Sequence, residues 1–153
     1  MVEYDPDRDW REIKDEGFNS HIGPLWYARL DGDTSHLALK LDARHINFGG
    51  VCHGGVYMAA SDVAMGIMAF RDMGRVPSAT IDFRCHFLAA AKRDQWLVIE
   101  ARKNRIAGDV AFMECEGWAG GRKCFVANGI WKRLNLPAAP RPGVRMSENP
   151  ASG

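Results

Sequence analysis

One carboxylate, Asp62, stands alone in the most apolar segment of the chain, HGGVYMAASDVAMGIMAF (His53 to Phe70), with no other formal charge before Arg71. A carboxylate in such company loses hydration unless a partner compensates, and that is how proteins poise a general base near neutral pH. The plainer alternative is a carboxylate paired with an arginine or with backbone amides. His53-Gly54-Gly55 opens the same segment. At a helix start, unpaired N–H groups and the positive end of the dipole point outward, and glycine lets a ligand atom come close. That makes a candidate oxyanion hole, against the plainer reading of a tight turn into the helix. Gly54 and Asp62 are eight residues apart, about 12 Å along a helix axis, too far to serve one small reacting group. If they cooperate on one carbonyl, Asp62 must come from a second chain whose helix runs beside the first, which puts the sites at a dimer interface.

The elements that would hold these residues follow from periodicity. Val56, Met58, Ala59, Ala60, Val63, Ala64, Met65, Ile67, Met68 and Phe70 cover every side of a helical wheel, and a helix apolar all round is a buried one. LWYARL (25–30) and HLALKL (36–41) alternate apolar and polar residues around Asp31, Gly32 and Asp33, the pattern of a hairpin. Four further runs, SATIDFRCHF, QWLVIEARK, VAFMECEGW and KCFVANGIW, have strand composition and are bounded by turn residues such as Ala107-Gly108-Asp109 and Gly120-Gly121. One helix among so many strands predicts an α+β fold, a long antiparallel sheet wrapped around one central buried helix. Trp10, Ile13 and Lys14 fall at helical spacing before Gly17, which predicts a short N-terminal helix over Asp7 to Gly17, lying as a lid. Residues 1–136 make one domain, and PAAPRPGVRMSENPASG (137–153) reads as a disordered tail.

Composition removes several function classes. With 153 residues, 46% hydrophobic, 25% charged and a net charge of +1, the chain is a globular domain without the bulk basic field that nucleic acid attracts. Its polar, acidic beginning is unlike a secretory signal and no run approaches a membrane span, so a cytoplasmic location and no membrane partner are expected. Cys52, Cys85, Cys115 and Cys124 form no CxxC pair and read as small apolar residues. Cys85 and His86 are adjacent and face opposite sides of a strand, and His21, His36 and His45 lack ligand spacing, so no metal is expected. The chain has no GxSxG, no GxxxxGK[ST] and no dinucleotide fingerprint.

Taken together, GFNSHIGPLWYARLDG (17–32), HINFGGVCHGGVYMAASDVAMG (45–66) and the strand region SATIDFRCHF to NGIW resemble the hotdog-fold acyl-CoA thioesterases of the phenylacetate-pathway (PaaI-like) branch. The specific part is an asparagine six residues before the histidine of HGG and an aspartate nine residues after it, here Asn47 and Asp62. The resemblance implies that Asp62 is the general base or nucleophile and that Gly54 supplies the oxyanion N–H. It further implies that Asn47 helps hold the thioester or the attacking water, that His53 supports the helix start, and that Thr80 stands where a hydroxyl positions the water. It implies dimers, often paired into tetramers. Where the family reads FLxPAxxGD this chain has FLAAAKRDQ, with Ala90 for the proline and Arg93 taken as standing where glycine is common.

The expected reaction is hydrolysis of an aryl or fatty acyl-CoA, with coenzyme A as part of the substrate and no separate cofactor. Trp26, Val56, Met65, Met68 and Phe83 are expected to line the acyl tunnel, and Gly55 is expected to bind the substrate. Lys92 and Arg93, like Arg102, Lys103 and Arg105, are candidate phosphate contacts against the plainer reading of solvated charge. A hotdog acyl-thioester hydratase or dehydratase, and a non-catalytic acyl-CoA-binding module, are the alternatives.

Overall fold

The computed structural model describes residues 1–30 and 32–136 and, as backbone, Arg145–Ser147. Asp31 of the expected hairpin turn and most of the expected tail lie outside the described residues. Among the described residues eight strands form one sheet: β1 (Arg11–Lys14), β2 (Leu25–Arg29), β3 (Thr34–Lys40), β4 (Ser78–Phe87), β5 (Trp96–Ala107), β6 (Val110–Ala119), β7 (Arg122–Arg133) and β8 (Arg145–Ser147). Every pairing is antiparallel, in the order β4-β7-β6-β5-β3-β2-β1-β8. A one-turn helix, α1 (Phe18–Ile22), packs near a long one, α2 (Gly54–Asp72), which lies in the curve of this sheet.

The N-terminal region departs from expectation. Residues Arg11–Lys14 are a strand, and the helix of this region, α1, begins after Gly17 instead of ending at it. The three-residue spacing of Trp10 and Ile13 fits a helical stripe, but an odd spacing also sends two side chains to opposite faces of a sheet. That is what happens: Ile13 joins the inner core, while Trp10, fully buried, packs with Ala28, Ala38 and Val98 on the outer face. Residues 1–10 thus form a strap over that face, with Tyr4 stacked on Trp96 and on Trp10. Within the expected tail, the backbone of Arg145–Ser147 pairs with β1.

Helix α2 buries Val56, Tyr57, Ala60, Ser61, Ala64, Met65, Met68 and Ala69 against the sheet. It is not covered all round. Met58 remains 42% exposed, and Asp62, Gly66 and Ile67 are half-buried. Gly54, Met58, Asp62 and Gly66 are spaced by four, so they share one face, and this face lies open beside the edge of β4 that no described strand pairs. Ile81, Phe87 and Leu88 are exposed along the same edge, at 60%, 55% and 56%.

Candidate active site

The start of α2 is built by its capping. His53 is the N-cap, with extended backbone (φ −66°, ψ 135°), and its Nδ1 accepts the Gly55 N–H at 2.9 Å. The His53 N–H donates to the His45 carbonyl at 2.8 Å, and the Cys52 N–H to the Ala91 carbonyl at 2.9 Å. Tyr57 Oη accepts the Ala91 N–H at 2.8 Å, which ties the β4–β5 connection beneath the helix start. Two of the four donors that a helix start leaves open lie at Gly54 and Gly55, and the histidine takes that of Gly55. Glycine at 54 has a packing reason as well: a Cβ there would lie 2.9 Å from Phe87 Cζ. Phe87, which the sequence reading did not single out, therefore walls this corner.

Asp62 lies two turns further along, and Thr80 donates its hydroxyl to Asp62 Oδ1 at 2.7 Å. The structure brings these two together through a bulge in β4. Thr80 pairs with Trp131 and Asp82 with Ile130, leaving Ile81 extra. Without the bulge, Thr80 and Phe83 would face opposite sides; with it, Thr80, Phe83, Cys85 and Phe87 all point inward. Asp62 is half-buried in the single chain, so the full desolvation expected of it needs a covering surface.

Asn47 sits in the loop before the helix, where its Oδ1 accepts the N–H groups of Gly49 at 2.8 Å and Val51 at 3.4 Å. Its oxygen is spent on the loop backbone, which leaves the amide Nδ2 as the group able to meet a ligand. Met65 is fully buried in the core and Phe83 packs against it, whereas Gly55 is exposed at the helix start. Trp26 does not face this side: it packs under the strap on the outer face, a correction to its place among the acyl-lining residues.

The basic candidates separate. Arg93 is exposed beside Asp94, near the helix start, while Arg105 is exposed near the far end of β5, beyond the C-terminal turn of α2. One chain cannot bring both to one phosphate. Arg102 is engaged by Glu100 at 2.8 Å, and Lys103 by Asp33 at 2.6 Å and Asp72 at 3.4 Å. The left-handed residue of the β4–β5 connection is Asp94, with φ 67°, and not Arg93. Asp94 is thus the position at which glycine is favoured, since aspartate tolerates that region better than most side chains.

Burial pushes the Cys52 and Cys115 thiols up to about 12, which keeps them protonated and poor nucleophiles. Among the described residues no group of three or more His, Cys, Asp or Glu side chains could hold a metal ion, and no helix is long and apolar enough to cross a membrane. A concavity of about 1170 Å³ is lined by Ile13, Asp15, Asn19, Gly23, Pro24 and Arg44 among others. It lies by β1, at the opposite side of the sheet from β4, and includes neither Gly54 nor Asp62. The candidate groups Gly54 and Asp62 instead line an open face of α2.

Residues 49–126 match the model of the thioesterase superfamily. The chain is 30% identical to PA0474 of Pseudomonas aeruginosa, which carries the name of an esterase, over 72% of this chain and 83% of that protein. Among solved structures, a variant of the phenylacetic acid degradation protein PaaI from Thermus thermophilus superposes with a TM-score of 0.69 at 20% identity, covering 76% of this chain and 98% of that one. A hypothetical thioesterase from Streptococcus pneumoniae, solved with coenzyme A, gives 0.68 at 17%, covering 76% and 90%. The fold is therefore that of the hotdog thioesterases, and the chain belongs to the thioesterase superfamily as a thioester hydrolase.

Proposed function

We propose that the substrate is an acyl-CoA and that each active site combines Gly54 of one subunit with Asp62 and Thr80 of another. The observation that carries this reading is the open stripe of α2, where an amide donor and a carboxylate share one face but stand about 12 Å apart. Two such helices running side by side in opposite directions bring each Gly54 to the other chain's Asp62. The open edge of β4, with its exposed apolar side chains, supplies a surface for that pairing, and a homodimer, alone or doubled, is the assembly it favours.

In the reaction, the Gly54 N–H polarises the thioester carbonyl. Asp62 takes a proton from water as the hydroxide adds to the carbonyl carbon, and the tetrahedral oxyanion rests on Gly54 N–H. Collapse expels the CoA thiolate, a good leaving group, and releases the free acid. The Thr80 hydroxyl fixes Asp62 Oδ1 and leaves Oδ2 to meet the water. Direct attack by Asp62 would form an acyl-aspartyl anhydride that water then opens. His53 acts on geometry, holding the helix start through Gly55, and the Nδ2 of Asn47 is the group that donates to the thioester or water. Exposed Arg93 is the nearer candidate for a CoA phosphate.

The test is release of free thiol from a panel of aryl and fatty acyl-CoAs by the parent and by Asp62→Asn at equal dimer content. Release by the parent and a loss of at least about a hundredfold in the variant is expected. Binding of acyl-CoA by both proteins without release would contradict the reading.

A further inference from the structure

Trp131 on β7 is 2% exposed, and the little of it that meets solvent includes its indole N–H, which bonds to none of the described residues. A donor at so narrow an opening takes a water or a ligand oxygen as its partner. Its surroundings point to the ligand. Trp131 is the register partner of Thr80, the residue that bonds Asp62, and paired side chains on one face of a sheet are direct neighbours. The Nε1 end lies beneath Gly66, where an added Cβ would stand 3.4 Å from it. Gly66 is one turn beyond Asp62 on the same open face of α2. The other end of the ring is fitted by Gly129, where a Cβ would meet Cη2 and Cζ3 at 2.8 Å. Two glycines thus make room for this indole, one along the strand and one on the helix, and the second leaves the N–H uncovered one helical turn from Asp62.

We infer that the Trp131 N–H is a substrate-contacting donor that binds a carbonyl or hydroxyl oxygen of the substrate close to the thioester. The oxygen has two possible sources, an amide of the pantetheine arm or a substituent on the acyl group. This assignment rests on the thioesterase site proposed above and adds a residue to it, one that selects for an oxygen acceptor rather than for hydrocarbon.

Two variants test it. Trp131→Phe keeps a ring and removes the donor. Gly66→Ala covers the donor without opening the core, and its unfolding midpoint is expected to hold or rise because alanine is the better helix residue. Both are assayed on the best acyl group as its thioester with CoA, with N-acetylcysteamine (which keeps one pantetheine amide) and with propanethiol, and on the CoA thioester of the hydroxylated acid. If the acceptor is the pantetheine amide, kcat/KM should fall about 2- to 12-fold, the range of one neutral hydrogen bond, on the amide-bearing thioesters and not on the propyl thioester. If it is an acyl oxygen, the fall should be confined to the hydroxylated acid. Equal losses on every thioester, or none from either variant, overturn the assignment while leaving the catalytic reading intact. A parent that cleaves no thioester overturns both.

Discussion

At the scale of single residues, the candidate site separates into groups that meet the reacting atoms and groups that hold them. Asp62 and the Gly54 N–H are the former, His53 and Thr80 the latter. Gly54→Pro is the most selective removal of the donor. Proline suits the first helical position, where its missing N–H disturbs no helix bond. His53 already has the extended backbone that a following proline requires. The Phe87 ring tip must rotate away, which its exposure allows. A loss of about a hundred- to a thousandfold in kcat is expected, with the circular dichroism of the fold unchanged. His53→Ala should instead cost about 1 kcal/mol of stability, as the loss of an N-cap does, read as a lower denaturation midpoint. The motif from Asn47 to Asp62 was legible in the sequence because its spacing is carried by one loop and one helix. Phe87, Trp131 and the contact between Thr80 and Asp62 were not, because a strand register and a one-residue bulge decide which side chains face the helix.

At the scale of elements, the sheet closes around α2 through close packing at glycine positions. A Cβ at Gly117 would lie 1.9 Å from Phe125 Cε1, so Gly117→Ala should destabilise by about 1–3 kcal/mol or more, as overpacking does, measured by urea unfolding. The strap adds a pH dependence. His36, 4% exposed on the outer face, meets Arg8 through Nδ1 and Glu100 through Nε2 at 3.0 Å. Burial lowers its basicity below the ordinary 6.5, aided by the charge of Arg8 and opposed by Glu100. The unfolded chain therefore takes up the proton first as pH falls. Stability from neutral His36 is present above that ordinary value and is lost as pH falls from it toward the folded value. The urea midpoint should drop between about pH 7.5 and 5.5, and the drop should shrink in His36→Gln. The strands from β2 to β7 were readable from alternation and turns. The strand at Arg11–Lys14 was not, because the strap makes both faces of the sheet apolar there and leaves a spacing that imitates a helix.

At the scale of the whole molecule, a single chain presents half of each proposed site twice over: a donor at one end of an open helix face and a carboxylate in its middle. The apparent contradiction of a carboxylate on an apolar helix resolves in this way, since Asp62 belongs to the side of α2 that the chain's own sheet does not cover. Sequence spacing was enough to suggest a second chain, but not to show which face of the helix stays open, because the apolar residues surround it on every side. The most direct test mixes two inactive proteins, Asp62→Asn and Gly54→Pro, after exchange of subunits. Each mixed dimer would hold one site with an intact glycine and an intact aspartate. With random exchange, half of the dimers carry one good site of two, so about one quarter of the parent thioesterase activity should return. If the mixture stays inactive although exchange is verified by mass, Gly54 and Asp62 do not act across the interface and the shared site is wrong.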